Sequence, residues 1–340
     1  MAQPILRTAP LGTPPWETPN PFLFCVHHLD FYPKGNGQYG PAASLAGRAI
    51  GQDFGSKDGW SMYHGATVPG FPQHPHRGFE TVTVVRRGLV DHSDSMGAQA
   101  RYGAGDVQWL TAGAGIQHAE MFPLVHEDGA NTLELFQIWL NLPAADKMAP
   151  PHFAMFWADS VPVVKPATGI EVTLVAGALD GVKPPAPPPH SHASRADSGV
   201  AIWTIRMDAG SSWTLPPAAS GSNRFLYFFA GANLRLAGQA IAQPMLVVVD
   251  PGSPILLEAT DSPVELLLLQ GRPIAEPVAQ HGPFVMNTRQ ELQQAFADYQ
   301  RTQFGGWPWG KPDPVNAAEG RFAKRPDGGL EKPGRSGGIA

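Results

Sequence analysis

Two short stretches hold the side chains best suited to chemistry. Gln73-His74-Pro75-His76-Arg77-Gly78-Phe79-Glu80 places two histidines at i and i+2, and Gly115-Ile116-Gln117-His118-Ala119-Glu120 places a histidine and a carboxylate at the same spacing. Along a strand, residues i and i+2 face one way. Each pair therefore predicts two ligand groups aimed at one point. Three imidazoles and a carboxylate, with no thiolate, suit iron, manganese, copper, nickel or zinc. A six-coordinate ion held this way keeps two positions open for water, dioxygen or a chelating substrate. Glu80 lies four residues beyond His76 and shares its face if the strand runs regularly, so Glu80 and Glu120 compete as the carboxylate. A lone strand histidine is usually a core or surface residue, and an isolated His-x-His pair is common. The metal reading gains its weight from the second pair, which follows about forty residues of β-like sequence and a glycine-rich turn.

The surrounding sequence is built to position such pairs on strands. The chain has 340 residues, enough for two domains, with 43% hydrophobic and 16% charged residues. Its 38 glycines and 36 prolines make up about a fifth of the chain, which predicts many turns and short strands and few helices. FETVTVV, GDVQWLTA and LELFQIWLNL read as short strands parted by turn residues. The texture returns in IEVTLVAG, VAIWTIRMD, FLYFFAGA, MLVVVDPG, ILLEAT and VELLLLQG. Two tandem β domains of sandwich or barrel type follow. One helix is expected late. Thr288-Arg-Gln-Glu291 has the form of a capping box, Leu292, Phe296 and Tyr299 share a helical face, and Gly305-Gly306 should lie beyond its end.

Several function classes are disfavoured. A net charge of -5 without a basic stripe argues against direct nucleic-acid binding. No apolar run approaches the roughly 18 residues needed to span a bilayer, and Pro and charge interrupt the first residues where a signal peptide would be apolar. Cys25 is the single cysteine, so no internal disulfide forms and a cytoplasmic location is expected. Nothing resembles a phosphate loop or a Ser-His-Asp arrangement. His190 and His192 repeat the His-x-His spacing, but they follow PPAPPP in a loop and predict no second site. His27, His28 and Asp30 read as a polar loop cluster more readily than as a second metal site. Trp109 and Met121 read as packing residues, with Gln108 a candidate lining residue of the first domain. Arg77 is expected to point away from the metal into a surface ion pair, and His92 with Asp94 to form a polar pair near a rim.

Longer wording carries a resemblance. His74-Pro-His-Arg-Gly-Phe-Glu-Thr-Val-Thr, His92-Ser-Asp-Ser-Met-Gly, Gly105-Asp-Val-Gln-Trp-Leu-Thr-Ala-Gly-Ala-Gly-Ile-Gln-His-Ala-Glu-Met, Gln137-Ile-Trp-Leu-Asn-Leu-Pro and Glu276-Pro-Val-Ala-Gln-His-Gly-Pro-Phe-Val-Met-Asn-Thr resemble the pirin family, over about residues 60 to 305. The resemblance implies an all-β fold of two tandem cupin (jelly-roll) β-barrels with a short C-terminal helix. It implies iron, as Fe2+ or Fe3+, in the N-terminal barrel, on His74, His76, His118 and Glu120, and a metal-free second barrel. It moves the carboxylate role from Glu80 to Glu120 and leaves Glu80 to orient an imidazole or serve structure. It implies quercetin 2,3-dioxygenase activity, with a flavonol and dioxygen as substrates and Glu120 or Glu80 accepting the flavonol proton. The alternative it implies is an iron- or redox-sensing regulator acting through a protein partner. The expected layout is an N-terminal arm and loop-rich segment packing on the first barrel (1–60), the metal-binding core (61–143), a connector (144–168), the second barrel (169–286), the helix (287–304) and a flexible tail (305–340). Residues 25–60 look expanded relative to short pirins, which leaves the cavity entrance undefined.

Overall fold

A computed structural model of the chain describes residues 4–317 and 320–334. It divides into two compact units. One contains residues 26–138, 142–159 and the chain from Glu276 onward; the other contains the chain through Cys25, Trp139–Asn141 and Ser160–Ala275.

The first unit is built on two sheets. One has the order His152–Phe156, Val107–Thr111, Phe79–Arg87, Asn131–Asn141, Phe22–Tyr32. The other has the order Leu330–Glu331, Phe322–Lys324, Gln99–Gly103, Leu89–Asp94, Ile116–Met121, Gly70–His76, antiparallel throughout. Neighbours in space are distant in sequence, as in a jelly roll. β-Branched and aromatic residues favour these strands, and strict alternation decides which side chains turn inward. In Phe79–Arg87, Thr81, Thr83 and Val85 share one face while Glu80, Val82 and Val84 share the other. Ile116–Met121 is buried at all six positions, so its polar residues are interior groups and not a solvent face.

The second unit holds a seven-stranded and a four-stranded antiparallel sheet. Its core is purely aliphatic and aromatic, including Trp203, Leu226, Phe228, Leu257 and Leu268. Among the described residues the single α-helix is Arg289–Thr302, capped by the Thr288–Glu291 reciprocal pair anticipated above. No described helix is long and apolar enough to cross a membrane.

Three expected boundaries need correction. Residues 1–60 were expected on the first barrel, but Ile5–Pro10 pairs with Met245–Val249 in the second unit's large sheet. The connector 144–168 includes the strand His152–Phe156, which pairs with Val107–Thr111. The stretch 305–340, expected to be flexible, supplies two strands to the six-stranded sheet, with Phe322–Lys324 paired to Gln99–Gly103; residues 335–340 lie outside the described residues. The reason is chemical. Asp91, fully buried, is held by Arg101 at 2.7 and 2.8 Å and by the Asn316 amide N–H at 2.8 Å, and Arg101 also donates to the Asn316 carbonyl at 2.7 Å. A buried ion pair needs its remaining hydrogen-bonding capacity filled, and this polar, Gly- and Pro-rich segment fills it.

Phe322 is the apolar anchor of that strand, 8% exposed. Phe322→Ala should destabilise the protein by about 3 kcal/mol in urea unfolding, the range for a buried Phe deletion. A mobile tail would show no change.

Candidate metal centre

The antiparallel register of Gly70–His76 against Ile116–Met121 pairs His74 with His118 and His76 with Ile116. A bulge between Phe71 and His74 shifts the alternation, and Phe71 pairs with Glu120. The three imidazoles of His74, His76 and His118 converge, with ring centroids 4.4 to 4.8 Å apart. One nitrogen from each lies within 4.8 Å of the others, and these three form the metal-competent cluster found among the described residues.

The cluster is prepared for a cation. His74 donates from Nδ1 to the Pro72 carbonyl at 2.8 Å, which leaves Nε2 as a lone pair. The Pro283 carbonyl holds the His76 ring. His118 is completely buried, and neither of its ring nitrogens has a hydrogen-bond partner. Leaving a buried polar group unpaired costs about 1–3 kcal/mol per group, so this ring is suited to a ligand. Burial, then the neighbouring imidazoles, holds all three histidines neutral: His74 is lowered to about 4, and His76 and His118 lie well below the ordinary histidine value. Neutral imidazole is the form that binds metal.

Glu120 stands beside the cluster, with Oε2 4.0 Å from His118 Nε2. Thr83 Oγ1 donates to Oε1 at 3.2 Å and Gln137 Nε2 donates to Oε2 at 2.6 Å. Burial raises this carboxyl, while His92, Gln137 and Thr83 oppose the rise. Two donors orient the group and leave lone pairs on each oxygen, so the donor set fits a borderline transition metal.

Glu80 is elsewhere. It accepts from Trp109 Nε1 at 3.1 Å and Thr111 Oγ1 at 2.7 Å, on the face of its strand opposite Thr83. The expectation that it shares the face of His76 fails because Gly78, with φ 84°, ends one strand before Phe79 opens the next. Trp109 goes with it, away from the cluster. His92 and Asp94 are not at a rim. Both are fully buried, with His92 Nε2 3.0 Å from Asp94 and its ring 5.6 Å from that of His118. Gln108 donates to His92 Nδ1 at 2.9 Å, so Nε2 carries the proton given to Asp94. Arg77 turns outward as expected, but its ion pair with Asp298 at 2.9 Å is half-buried, and its guanidinium lies 4.5 Å from the Phe304 ring centre. Met121 is packing. His192 lies in a single 3-10 turn, His192–Ser194, outside any strand. His27 bonds Glu134 at 3.1 Å while His28 and Asp30 meet Tyr63, so this trio does not converge as ligands.

Thr83 and Gln137 escaped the sequence reading. The available signal was a polar residue at an inward position of an otherwise apolar alternation, as with Gln137 in LELFQIWLNL.

Known proteins share this architecture. The family model described as Pirin matches residues 50–140, and the one described as Pirin C-terminal cupin domain matches residues 202–305. A pirin-like protein of Caulobacter vibrioides is 39% identical over 241 residues, covering 69% of this chain and 80% of that protein. A Pseudomonas aeruginosa protein provisionally named a quercetin 2,3-dioxygenase is 36% identical over 236 residues, covering 69% and 79%. The solved quercetin 2,3-dioxygenase of Acinetobacter baumannii aligns with a TM-score of 0.66 at 26% identity, covering 84% of this chain and 87% of that one. With both halves matched, and with relatives above 35% identity across two thirds of its length, the chain belongs to the pirin family, an all-β fold with two cupin domains.

Proposed function

We propose that His74, His76, His118 and Glu120 bind one transition metal, iron in the working protein, and that the site opens flavonols such as quercetin with dioxygen. The observation that carries this reading is His118: a fully buried imidazole with both nitrogens unpaired, facing two other neutral imidazoles. The relatives named as quercetin 2,3-dioxygenases support the choice of substrate.

The bound metal would supply Lewis acidity, which lowers the pKa of a chelating hydroxyl. The protein's own groups do the rest. His74 and His76, tied to the Pro72 and Pro283 carbonyls, present fixed lone pairs. Glu120 Oε2, aimed by Gln137, is placed to take the proton of the flavonol 3-hydroxyl. His92 is locked between Asp94 and Gln108 and shields the cluster without contributing a ligand. Phe153 stacks on His92 at 5.2 Å.

Metal-loaded protein mixed with quercetin should bleach the flavonol's visible band in air and leave it intact under anaerobic conditions. A band that persists in air rejects the flavonol reading. His118→Ala should abolish stoichiometric metal by elemental analysis and leave the far-UV β signal unchanged, because apolar strand faces hold the core; unfolding on chelation would contradict this. Gln137→Ala removes the donor that orients Glu120, and metal affinity should fall about 10- to 100-fold, as for other partners behind metal ligands.

A further inference from the structure

His28 lies against two aromatic rings next to the cluster strands, Phe71 and Phe122. On Phe22–Tyr32, His27 turns to the outer face, where it meets Glu134, the carboxylate that also holds Arg86. His28 therefore turns to the inner face. Its ring lies 5.9 Å from Phe71 and 6.4 Å from Phe122. Phe71 is the cross-strand partner of Glu120, and Phe122 follows Glu120 by two residues, so both flank the carboxylate beside the cluster. Two residues of strand span roughly 7 Å, on the scale of the distance from the chelating head of a flavonol to its pendant ring.

A buried relay fixes what His28 presents. Tyr63 Oη donates to Asp30 Oδ2 at 2.7 Å, and Asp30 Oδ1 accepts from the Ser61 N–H at 2.9 Å. The one hydroxyl proton of Tyr63 is thus committed, so the 2.8 Å contact between Tyr63 Oη and His28 Nδ1 has the imidazole as donor. Nε2 then carries the lone pair, and no hydrogen bond to it is made among the described residues. Burial, and then His27, lowers the His28 pKa to about 4, so it stays a neutral acceptor near neutral pH.

The arrangement is held at a backbone cost. Tyr63 has φ 56°, a left-handed conformation that bulky residues avoid. Its N–H and C=O both bond Asp53 at 2.9 Å, which keeps it there. Asp53 belongs to the expanded stretch. So does Phe54, which is 55% exposed and packs 5.4 Å from Tyr63 and 6.4 Å from Phe71. An aromatic wall therefore runs from solvent to the residues flanking Glu120.

We propose that His28 Nε2 reads a hydroxyl on the pendant ring of an aromatic substrate whose chelating head occupies the histidine cluster. Tyr63 and Asp30 are positioning residues that hold the acceptor tautomer. This rests on the flavonol reading above and names the part of the substrate that the expanded stretch selects.

The test is anaerobic binding to the metal-loaded protein, followed by tryptophan fluorescence, of galangin, kaempferol and quercetin. These share the chelating head and carry zero, one and two hydroxyls on the pendant ring. The wild type should bind the hydroxylated pair about tenfold or more tightly than galangin, the scale of one buried hydrogen bond. His28→Phe keeps aromatic bulk and should keep metal content and galangin affinity while the preference collapses. Tyr63→Phe leaves the His28 Nδ1–H without its acceptor and should narrow the preference at unchanged metal content. Equal binding of all three by the wild type, or an undiminished preference in His28→Phe, overturns the His28 assignment and leaves the flavonol reading standing. No binding of any of the three overturns both. If His28→Phe does not fold, the wild-type series and Tyr63→Phe decide the matter.

Discussion

The centre depends on one register. Pairing His74 with His118 across two antiparallel strands brings the imidazoles together, and a slip of one residue would turn His118 and Glu120 to the other face. Glycines pin both ends of this pairing. At Gly70, with φ 131°, a Cβ would stand 2.4 Å from the Glu120 carbonyl; at Gly78 it would stand 2.0 Å from the Val285 carbonyl. No side chain fits either place, and the strand cannot slide without losing both close approaches. The bulge between Phe71 and His74 is part of the same design. It puts the two histidines on the inner face while Phe71 stays opposite Glu120.

Holding three imidazoles out of water, with both nitrogens of His118 unpaired, opposes folding, and the opposing support comes from the far end of the chain. Gln117, the neighbour of His118, donates to the Gln303 carbonyl at 2.6 Å and accepts from Tyr299 at 3.0 Å and from Gln73 at 2.7 Å. Arg77, the neighbour of His76, is clamped by Asp298. Trp309 Nε1 donates to the Asp94 carbonyl at 3.0 Å, and the Pro312 carbonyl accepts from the Gln73 N–H at 2.7 Å. Gln73, Arg77 and Gln117, each next in sequence to a cluster histidine, are thus tied by residues 298–312. The cluster histidines face in because their neighbours are fastened elsewhere.

This explains which parts were legible in the sequence. The His-x-His and His-x-Glu pairs could be read because period-two alternation acts within a strand. The late helix could be read because its capping box is local. Glu80 was misplaced because a single positive-φ glycine resets alternation, and spacing counts do not register a turn. The tail at 305–340 was misread because its order arises from partners about 200 residues away, Asp91 and Arg101, and not from any periodicity of its own. Ile5–Pro10 was misassigned for the same reason: strand texture predicts pairing but not the partner. His28 looked like one of a polar trio, since adjacent residues on a strand look alike in sequence while facing opposite ways.

The charge of the chamber follows from these commitments. His74, His76, His118 and His28 are neutral by burial, and His92 has both nitrogens engaged in hydrogen bonds. Asp30 is satisfied by Tyr63 and Ser61 and is set apart behind His28. Glu120 is then the carboxylate facing the cluster, with Asp94 a second buried carboxylate behind His92. On the flavonol proposal, this buried setting favours a substrate that arrives neutral and becomes anionic in place, since that form crosses the aromatic wall cheaply and would be stabilised by the cation once inside. A planar aromatic with an acidic, chelating hydroxyl meets both requirements. A permanently charged ligand fails the first and a plain hydrocarbon fails the second. On that proposal the selectivity arises from the same burial that keeps the imidazoles neutral.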